Sequence, residues 1–509
     1  MSSMMLGVLA TMAIVTQDQA ALRAGPRESA AQQAVLWQGD ALEVRGRKMD
    51  YLQVWDHRRE RAGFIRASQV RTTDLQATEA DSLLSVLRFL RDTPGSEALG
   101  IGYAAAYLQA VPANKLDAEP FDAIGTMADR LSRRAALKPG QTASATVAAH
   151  MEVANHYGVR IAGIERDGAL QPCYDGEAFR RVLALPSPPE ARGRAALGLT
   201  RHDCVDSALS PVQRLPLDQW RAQVLDQVSN AQFAELPETM KNRLRLRRAG
   251  VWASLAFQQA RRGDAASAPA AQRALAELAG VNKAELSDDD QREYTEAAIR
   301  VGASRWAAEP AFVANGAFAT ATATGIAKGP TAAAAAAAAA KPGLQIQTAA
   351  GTQPGETCVT LVDGRAQQPK TLAMRCTFGL VWAASAKPNA ANTAVALAVQ
   401  PLDTWRELWV FRRQGGGHNA EWVVDVLPPA AQLAASGSDL GYVEFAGWVP
   451  GQDRLLLARE TKVDGRLKRS FEVTRLDTLL PEKQASTPDL LAAFRWQDAG
   501  WKQQTVAVR

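Results

Sequence analysis

The chain has 509 residues, 47% of them apolar and 22% charged, and its 58 basic and 53 acidic side chains leave a net charge of +5. This is the composition of a globular protein of about three domains, and no continuous apolar stretch reaches the roughly 18 residues of a membrane-crossing helix, so no integral membrane span is expected. The basic surplus is spread along the chain, whereas a nucleic-acid footprint would gather it on one face; the one dense cluster, His57-Arg58-Arg59-Glu60-Arg61, is short, and no nucleic-acid partner is expected.

From Met4 to Val15 the chain has the length and apolarity of a signal-peptide core, followed at once by polar Thr16-Gln17-Asp18-Gln19. Residues 1–16 are therefore expected to be a signal peptide, and the protein to be periplasmic or secreted. No cysteine occurs before Cys173, so a lipid anchor at the cleavage point is not expected. The four cysteines fall into two local pairs, Cys173 with Cys204 and Cys358 with Cys376. Disulfides in an oxidising compartment would be paired in this way, with buried free thiols as the alternative. The absence of C-x-x-C excludes zinc ribbons and thioredoxin-like redox motifs.

From Ala21 to Val70 the residues alternate apolar and polar over short runs separated by Gly, Pro and charged loops, the pattern of a small all-β unit, which is expected to occupy residues 17–75. Four segments stand in order: Leu22-Arg23-Ala24-Gly25-Pro26, Val35 to Val44, Asp50-Tyr51-Leu52-Gln53-Val54 and Ala62-Gly63-Phe64-Ile65. Over residues 21–71 this order resembles the bacterial SH3-like family, which implies a small β-barrel with a binding groove. Tyr51 stands where that family usually has Trp, and the Arg-rich loop at 57–61 is a second departure. Strand alternation puts Leu52 and Val54 on one face and Tyr51, Gln53 and Trp55 on the other; the resemblance makes Val54 a core residue. Tyr51, Trp55 and Phe64 are then expected to face outward beside Arg58 and Arg59, as a groove for an extended peptide, or else to pack on the next domain.

Residues 76–310 read as helical. Thr78 and Asp81 resemble a capping box before Leu83, Val86, Leu87 and Leu90, and Pro94-Gly95 ends that helix. Val251 to Phe257 leads through Arg262-Gly263-Asp264 into an Ala-rich helix, one helical hairpin without a second copy at a fixed period. Another helix starts at Ser287, with Asp288, Asp289 and Asp290 complementing its dipole. Residues 311–343, with nine alanines from Ala332 to Ala340 between Pro and Gly, read as a linker.

Strand patterns return from 344 to 509, at Thr357 to Val362, Ala394 to Val399, Glu407 to Phe411 and Trp422 to Leu427, and seven of the twelve tryptophans lie here. The run Gly447-Trp448-Val449-Pro450-Gly451-Gln452-Asp453-Arg454-Leu455-Leu456-Leu457 resembles the strand-turn-strand of TolB-type propeller blades, with Trp382 and the Ala394 to Val399 run as a degenerate earlier copy. The region has room for about three blades, so a partial propeller and a sandwich both stand. The expected fold is a multidomain α+β chain: an SH3-like barrel, an all-α domain and a β-rich domain.

Recognisable catalytic signatures are missing from the sequence. The five histidines, at 57, 150, 156, 202 and 418, form no H-E-x-x-H, and His150 and His156 would lie on different helix faces. His202-Asp203-Cys204 is adjacent only in sequence, which does not bring a base to a sulfur. Gly100-Ile101-Gly102-Tyr103-Ala104-Ala105 matches a relaxed dinucleotide fingerprint but lacks a preceding strand. No catalytic residue, metal or cofactor is assigned. The leading expectation is an exported envelope binding or scaffold protein that contacts cell-wall peptide or an envelope protein. The alternative is an envelope hydrolase or modifying enzyme whose SH3-like domain serves for targeting.

Overall fold

The computed structural model describes residues 11–136, 144–166, 169–308, 343–365, 370–415, 420–430, 440–463 and 466–502. By its internal contacts the chain divides into two units, Met1–Ser207 with Gln223–Met240, and Ala208–Ala222 with Lys241–Arg509. The helical region expected as one domain over 76–310 is thus shared between them.

The first unit begins with seven strands: β1 (Met12–Val15), β2 (Ala20–Arg23), β3 (Gln32–Leu36), β4 (Ala41–Lys48), β5 (Tyr51–Asp56), β6 (Arg61–Arg66) and β7 (Val70–Thr73). They form one sheet in the order β3-β2-β6-β5-β4-β1-β7, whose path ends at β3 and β7, so the barrel expected over 17–75 is not closed. The sheet also starts earlier than expected. The apolar run assigned to a signal peptide supplies β1, which pairs antiparallel with both β4 and β7. Ala13 and Val15 join Leu22, Leu42, Leu52, Val54 and Ile65 in the sheet's core, while Ile14 packs against the helices with Leu83, Leu90 and Tyr103. A strand buried on both faces reads as a continuous apolar run, and periodicity cannot tell it from the core of a leader. Residues 1–10 of the expected leader lie outside the described residues.

Helices α1 (Ala80–Arg91), α2 (Glu97–Ala110), α3 (Glu119–Ala135) and α4 (Ala145–His156) follow. In α1 the residues Leu83, Leu87 and Leu90 are buried as the spacing predicts, whereas Val86 is exposed. The expected capping box does not form: Glu79 occupies the cap, and its carboxylate instead accepts from Thr73 Oγ1 and the Asp74 N–H, both at 2.8 Å. Gly100 and Gly102 lie inside α2, not in a phosphate-binding turn. A Cβ at Gly102 would stand 3.0 Å from the Gly39 carbonyl oxygen, so this glycine lets helix and sheet backbones approach. Gly39 itself sits in the left-handed region at φ +88° and accepts a 2.6 Å hydrogen bond from the Tyr157 hydroxyl.

Next comes a hairpin that the helical reading missed, β8 (Ile161–Arg166) with β9 (Ala169–Tyr174). Its signal in the sequence is Asp167-Gly168, the dipeptide of a two-residue hairpin turn. The unit continues with α5 (Glu177–Ala184) and α6 (Pro189–Leu199), and Cys173 of β9 is joined to Cys204 by a disulfide with Cα atoms 5.7 Å apart.

The remaining helices are α7 (Pro211–Asp226), α8 (Asn230–Glu235), α9 (Glu238–Ala260), α10 (Ser267–Ala279) and α11 (Asp288–Ser304). In the second unit α9 and α10 form the expected hairpin, turning through Gly263 at φ +67°. Ser287 caps α11 as expected, its hydroxyl accepting from the Asp290 N–H at 3.2 Å. The expected Ala-rich linker, apart from Gly343, lies outside the described residues.

Strands β10 (Leu344–Ala350), β11 (Thr357–Asp363) and β12 (Lys370–Thr377) make a three-stranded sheet. An eight-stranded sheet is built from β13 (Leu380–Pro388), β14 (Ala394–Leu402), β15 (Trp405–Gln414), β16 (Glu421–Leu427), β17 (Leu440–Trp448), β18 (Arg454–Val463), β19 (Arg466–Arg475) and β20 (Pro481–Ala485). Its order is β13-β14-β15-β17-β18-β19-β20, with β16 on β15. The strands therefore run on as one sheet instead of dividing into separate blades. Val359 and Leu361 of the small sheet pack on Val395, Leu397, Val399, Trp409 and Phe411 of the large one, as two sheets stacked face to face do. On the opposite face, Ala398 and Trp382 meet Ala256, Ala260 and Ala270 of the α9–α10 hairpin. Burial on both faces explains the unbroken apolar run of β14. Among the described residues no helix is long and apolar enough to cross a membrane.

Candidate functional site

In the first unit, β5 pairs with β6 so that Tyr51 faces Arg66, Gln53 faces Phe64 and Trp55 faces Ala62. Paired residues share a face, so Tyr51, Phe64 and Trp55 follow one another diagonally along one side of the sheet, opposite Leu52, Val54 and Ile65 of the core. Trp55 and Phe64 are partly exposed. Tyr51 is not: only 6% of it reaches solvent, and the Arg66 guanidinium lies over its ring at 5.7 Å. Of the three rings expected to face outward, Trp55 and Phe64 are thus partly exposed and Tyr51 is buried.

The cations also differ from expectation. Arg58 is held by Asp40 at 3.2 Å and Glu152 at 2.7 Å, and Arg59 by Asp56 at 2.9 Å and Asp40 at 3.4 Å. Asp56 further accepts the backbone N–H groups of Arg58 and Arg59, at 3.0 and 3.2 Å. These two arginines fasten the β5–β6 turn and are not free groove residues. Arg45 takes their place beside the rings, with its guanidinium 4.9 Å above Trp55 and its Nε 3.3 Å from Glu43. His57 Nε2 lies 2.7 Å from the same carboxylate, and its ring meets Trp55 edge-on at 6.5 Å. Hydrogen bonds from Arg45, and then from His57, hold the Glu43 carboxyl below its ordinary range. Because β4 carries a bulge between Val44 and Gly46, Arg45 has no simple place in strand alternation; bulges re-aim side chains in this way.

The second unit contains a cavity of about 240 Å³ that sequence reasoning did not find. Its lining includes Arg305 from the turn after α11, Arg406 from β15, Glu444 from β17 and Trp501 near the C-terminus. Glu444 Oε1 accepts from Arg305 Nε and, at 3.2 Å, from Arg406 Nη2, and Oε2 accepts from Trp501 Nε1 at 3.2 Å. Burial raises the Glu444 pKa, but the two guanidinium groups prevail and hold it low. Burial, with Arg305 beside it, pulls Arg406 down to about 10, against the opposing pull of Glu444, so it is protonated at neutral pH. Sequence held no signal for this site, since its charged members lie 38 to 139 positions apart.

The remaining motifs settle into structural roles. His150 is 1% exposed, with Nε2 2.7 Å from Asp18, and tethers α4 to the β1–β2 turn. Asp203 pairs with Arg201, while Cys204 is spent in its disulfide, so His202-Asp203-Cys204 offers no thiolate. Cys358 and Cys376 stand directly opposite one another on β11 and β12 and are bonded, with Cα atoms 3.9 Å apart, closer than the 4.4 to 6.8 Å usual for a disulfide. Glu356 lies with these two sulfurs at metal-ligand spacing, but disulfide sulfurs are not thiolate ligands. Comparison of the chain with protein-family models, with curated proteins and with solved structures finds no match.

Proposed function

We propose that this is an exported binding protein of the cell envelope, in which the sheet face around Trp55 and Phe64 receives an extended peptide of the cell wall or of an envelope protein. The observation that carries the reading is two partly exposed aromatic rings on one face of the sheet, with the Arg45 guanidinium stacked on the first of them. Flat rings flanked by cations are suited to extended peptides with acidic groups, which gain apolar contact and charge complementarity together. Export is supported by two disulfides, bonds that persist in oxidising compartments.

The alternative of a hydrolase centred on the helical region would call for a carboxyl with a raised pKa to serve as general acid. Among the described residues there, Asp92, Glu97, Glu119 and Asp290 are held below their ordinary values, each beside an arginine. This pattern belongs to structural ion pairs.

Co-sedimentation of the full chain with purified peptidoglycan, alongside capture from envelope extract, tests the reading. Trp55→Ala and Phe64→Ala should each weaken retention roughly ten-fold, the effect of truncating an aromatic anchor, with thermal melting unchanged. Equal retention of both variants, or none of the parent protein in either assay, would refute it.

A further inference from the structure

The outer face of the three-stranded sheet carries a side-chain cluster outside both sites described above. Val359 and Leu361 of β11 turn inward onto the large sheet, so strand alternation turns Cys358 outward. Cys376 stands directly opposite it on β12, and both cysteines are only partly buried. Glu356, just before β11, brings a carboxylate oxygen to them, and this oxygen and the two sulfurs all lie within 4.8 Å of one another. On β10 the residue paired with Cys358 is Ala349, exposed and with a single methyl group.

The Glu356 side chain is held in place by the turn that precedes β11. Its Oε2 accepts from the Thr352 and Gln353 N–H groups, at 2.9 and 3.3 Å, and from Thr352 Oγ1 at 3.4 Å. A Cβ at Gly351 would stand 2.6 Å from the Glu356 Cδ, so glycine makes room for the carboxylate there. Outer hydrogen bonds of this kind orient a carboxylate toward a metal. The strand pairs on either side, Thr357 with Thr377 and Val359 with Arg375, keep positions 358 and 376 opposite one another whether or not their sulfurs are bonded. Opposed Cβ atoms lie roughly 4.5 to 5.5 Å apart, a span that two zinc–thiolate bonds of about 2.3 Å bridge. Cys173 of the other disulfide is buried, so a reductant has better access to Cys358–Cys376.

We propose that reduction of the Cys358–Cys376 disulfide creates a zinc site, with the two thiolates and the Glu356 carboxylate as ligands and water in the fourth position. A dithiol supplies the step. One of its thiolates attacks a cysteine sulfur and breaks the S–S bond, its second sulfur resolves the mixed disulfide, and two electrons and two protons pass to the cysteines while the dithiol becomes a disulfide. Zinc then replaces the two thiol protons, which leave to solvent. Two thiolates with one carboxylate suit zinc, whereas magnesium and calcium take oxygen ligands throughout. The site belongs to the second unit and does not rest on the peptide-binding reading.

The full chain, reduced with dithiothreitol and desalted under nitrogen, is titrated with zinc chloride, and with cobalt chloride for the thiolate charge-transfer absorption that cobalt gives. The reduced chain should take up both ions and show that absorption, and the oxidised chain should not show it. The Cys358→Ser/Cys376→Ser variant, reduced in the same way, keeps the Cys173 and Cys204 thiols and should lose the absorption. Glu356→Gln keeps an oxygen for the turn hydrogen bonds and should bind zinc at least about ten-fold more weakly. Bound zinc should shield Cys358 and Cys376 from alkylation in peptide mapping. No uptake by the reduced chain, the same absorption in the oxidised chain or in the Cys358→Ser/Cys376→Ser variant, full affinity in Glu356→Gln, unshielded thiols, or loss of the folded state on reduction would each overturn the proposal.

Discussion

Glu97 opens α2 with its side chain wholly buried. Burial pushes its carboxyl up, yet the Gly95 N–H at 3.0 Å, Arg130 at 2.5 Å and Arg134 surround it and hold it below its ordinary value of 4.5. Arg130 also donates to the Arg91 and Thr93 carbonyls, at 2.7 and 3.0 Å, so the same group ties α3 to the α1–α2 turn. A carboxylate depressed in the folded state adds stability above its unfolded pKa and loses it as pH falls through the folded one. Glu97→Gln is therefore expected to cost about 2 to 4 kcal/mol at neutral pH, since both arginines are partly solvated, and the deficit should shrink as pH falls through and below the ordinary carboxylate range of about 4. Urea denaturation across that range measures it, and a deficit independent of pH would mean the carboxylate's charge is irrelevant. Arg58 and Arg59 make the same point in another way: what a side chain can offer a ligand depends on which carboxylates have already engaged it.

Among the elements, the β11–β12 hairpin has the clearest covalent support. Cys358 and Cys376 are 18 positions apart and in register across the two strands, and residues 366–369 lie outside the described residues. Closing a loop of that length restricts the unfolded chain by about 3 kcal/mol. The Cys358→Ser/Cys376→Ser double variant should lose about that much in chemical denaturation, while the Cys173–Cys204 bond remains detectable by peptide mapping. Unchanged stability would show that the strand pairing and the Val359 and Leu361 core already suffice. In the sequence, the strand pattern of Thr357 to Val362 followed by Asp363-Gly364 is the signal of this hairpin. The β8–β9 hairpin carried a comparable signal at Asp167-Gly168, but its surroundings read as helical and outweighed it.

For the molecule as a whole, compartment and architecture meet at β1. This strand lies between β4 and β7 and contributes to the sheet core on one face and to the helical core on the other. Processing after Thr16 would remove it and leave β4 and β7 each without a partner along that edge. An exported mature chain is thus expected to keep Met12 to Val15, with any cleavage earlier in the sequence. Fractionation of the native host followed by N-terminal sequencing checks this: a mature form that begins beyond Val15, or full-length protein confined to the cytosol, would contradict the sheet or the export reading respectively.

Local chemistry alone determined much of this protein. Strand patterns placed β5, β6, β11, β15 and β16, the 3.6-residue period placed α1, the Ser287 start and acidic first turn placed α11, and the local grouping of the cysteines pointed to the two disulfides, because each of these depends on neighbours within a few tens of residues. Only the tertiary structure decided the rest. Whether an apolar run is a leader or a strand buried on both faces, whether a tyrosine supports a surface or forms it, and whether the first sheet closes all depend on what packs against them. The Arg305–Arg406–Glu444 floor belongs to the same class: its members are scattered along the chain, and buried charge becomes meaningful only when distant segments enclose it away from water.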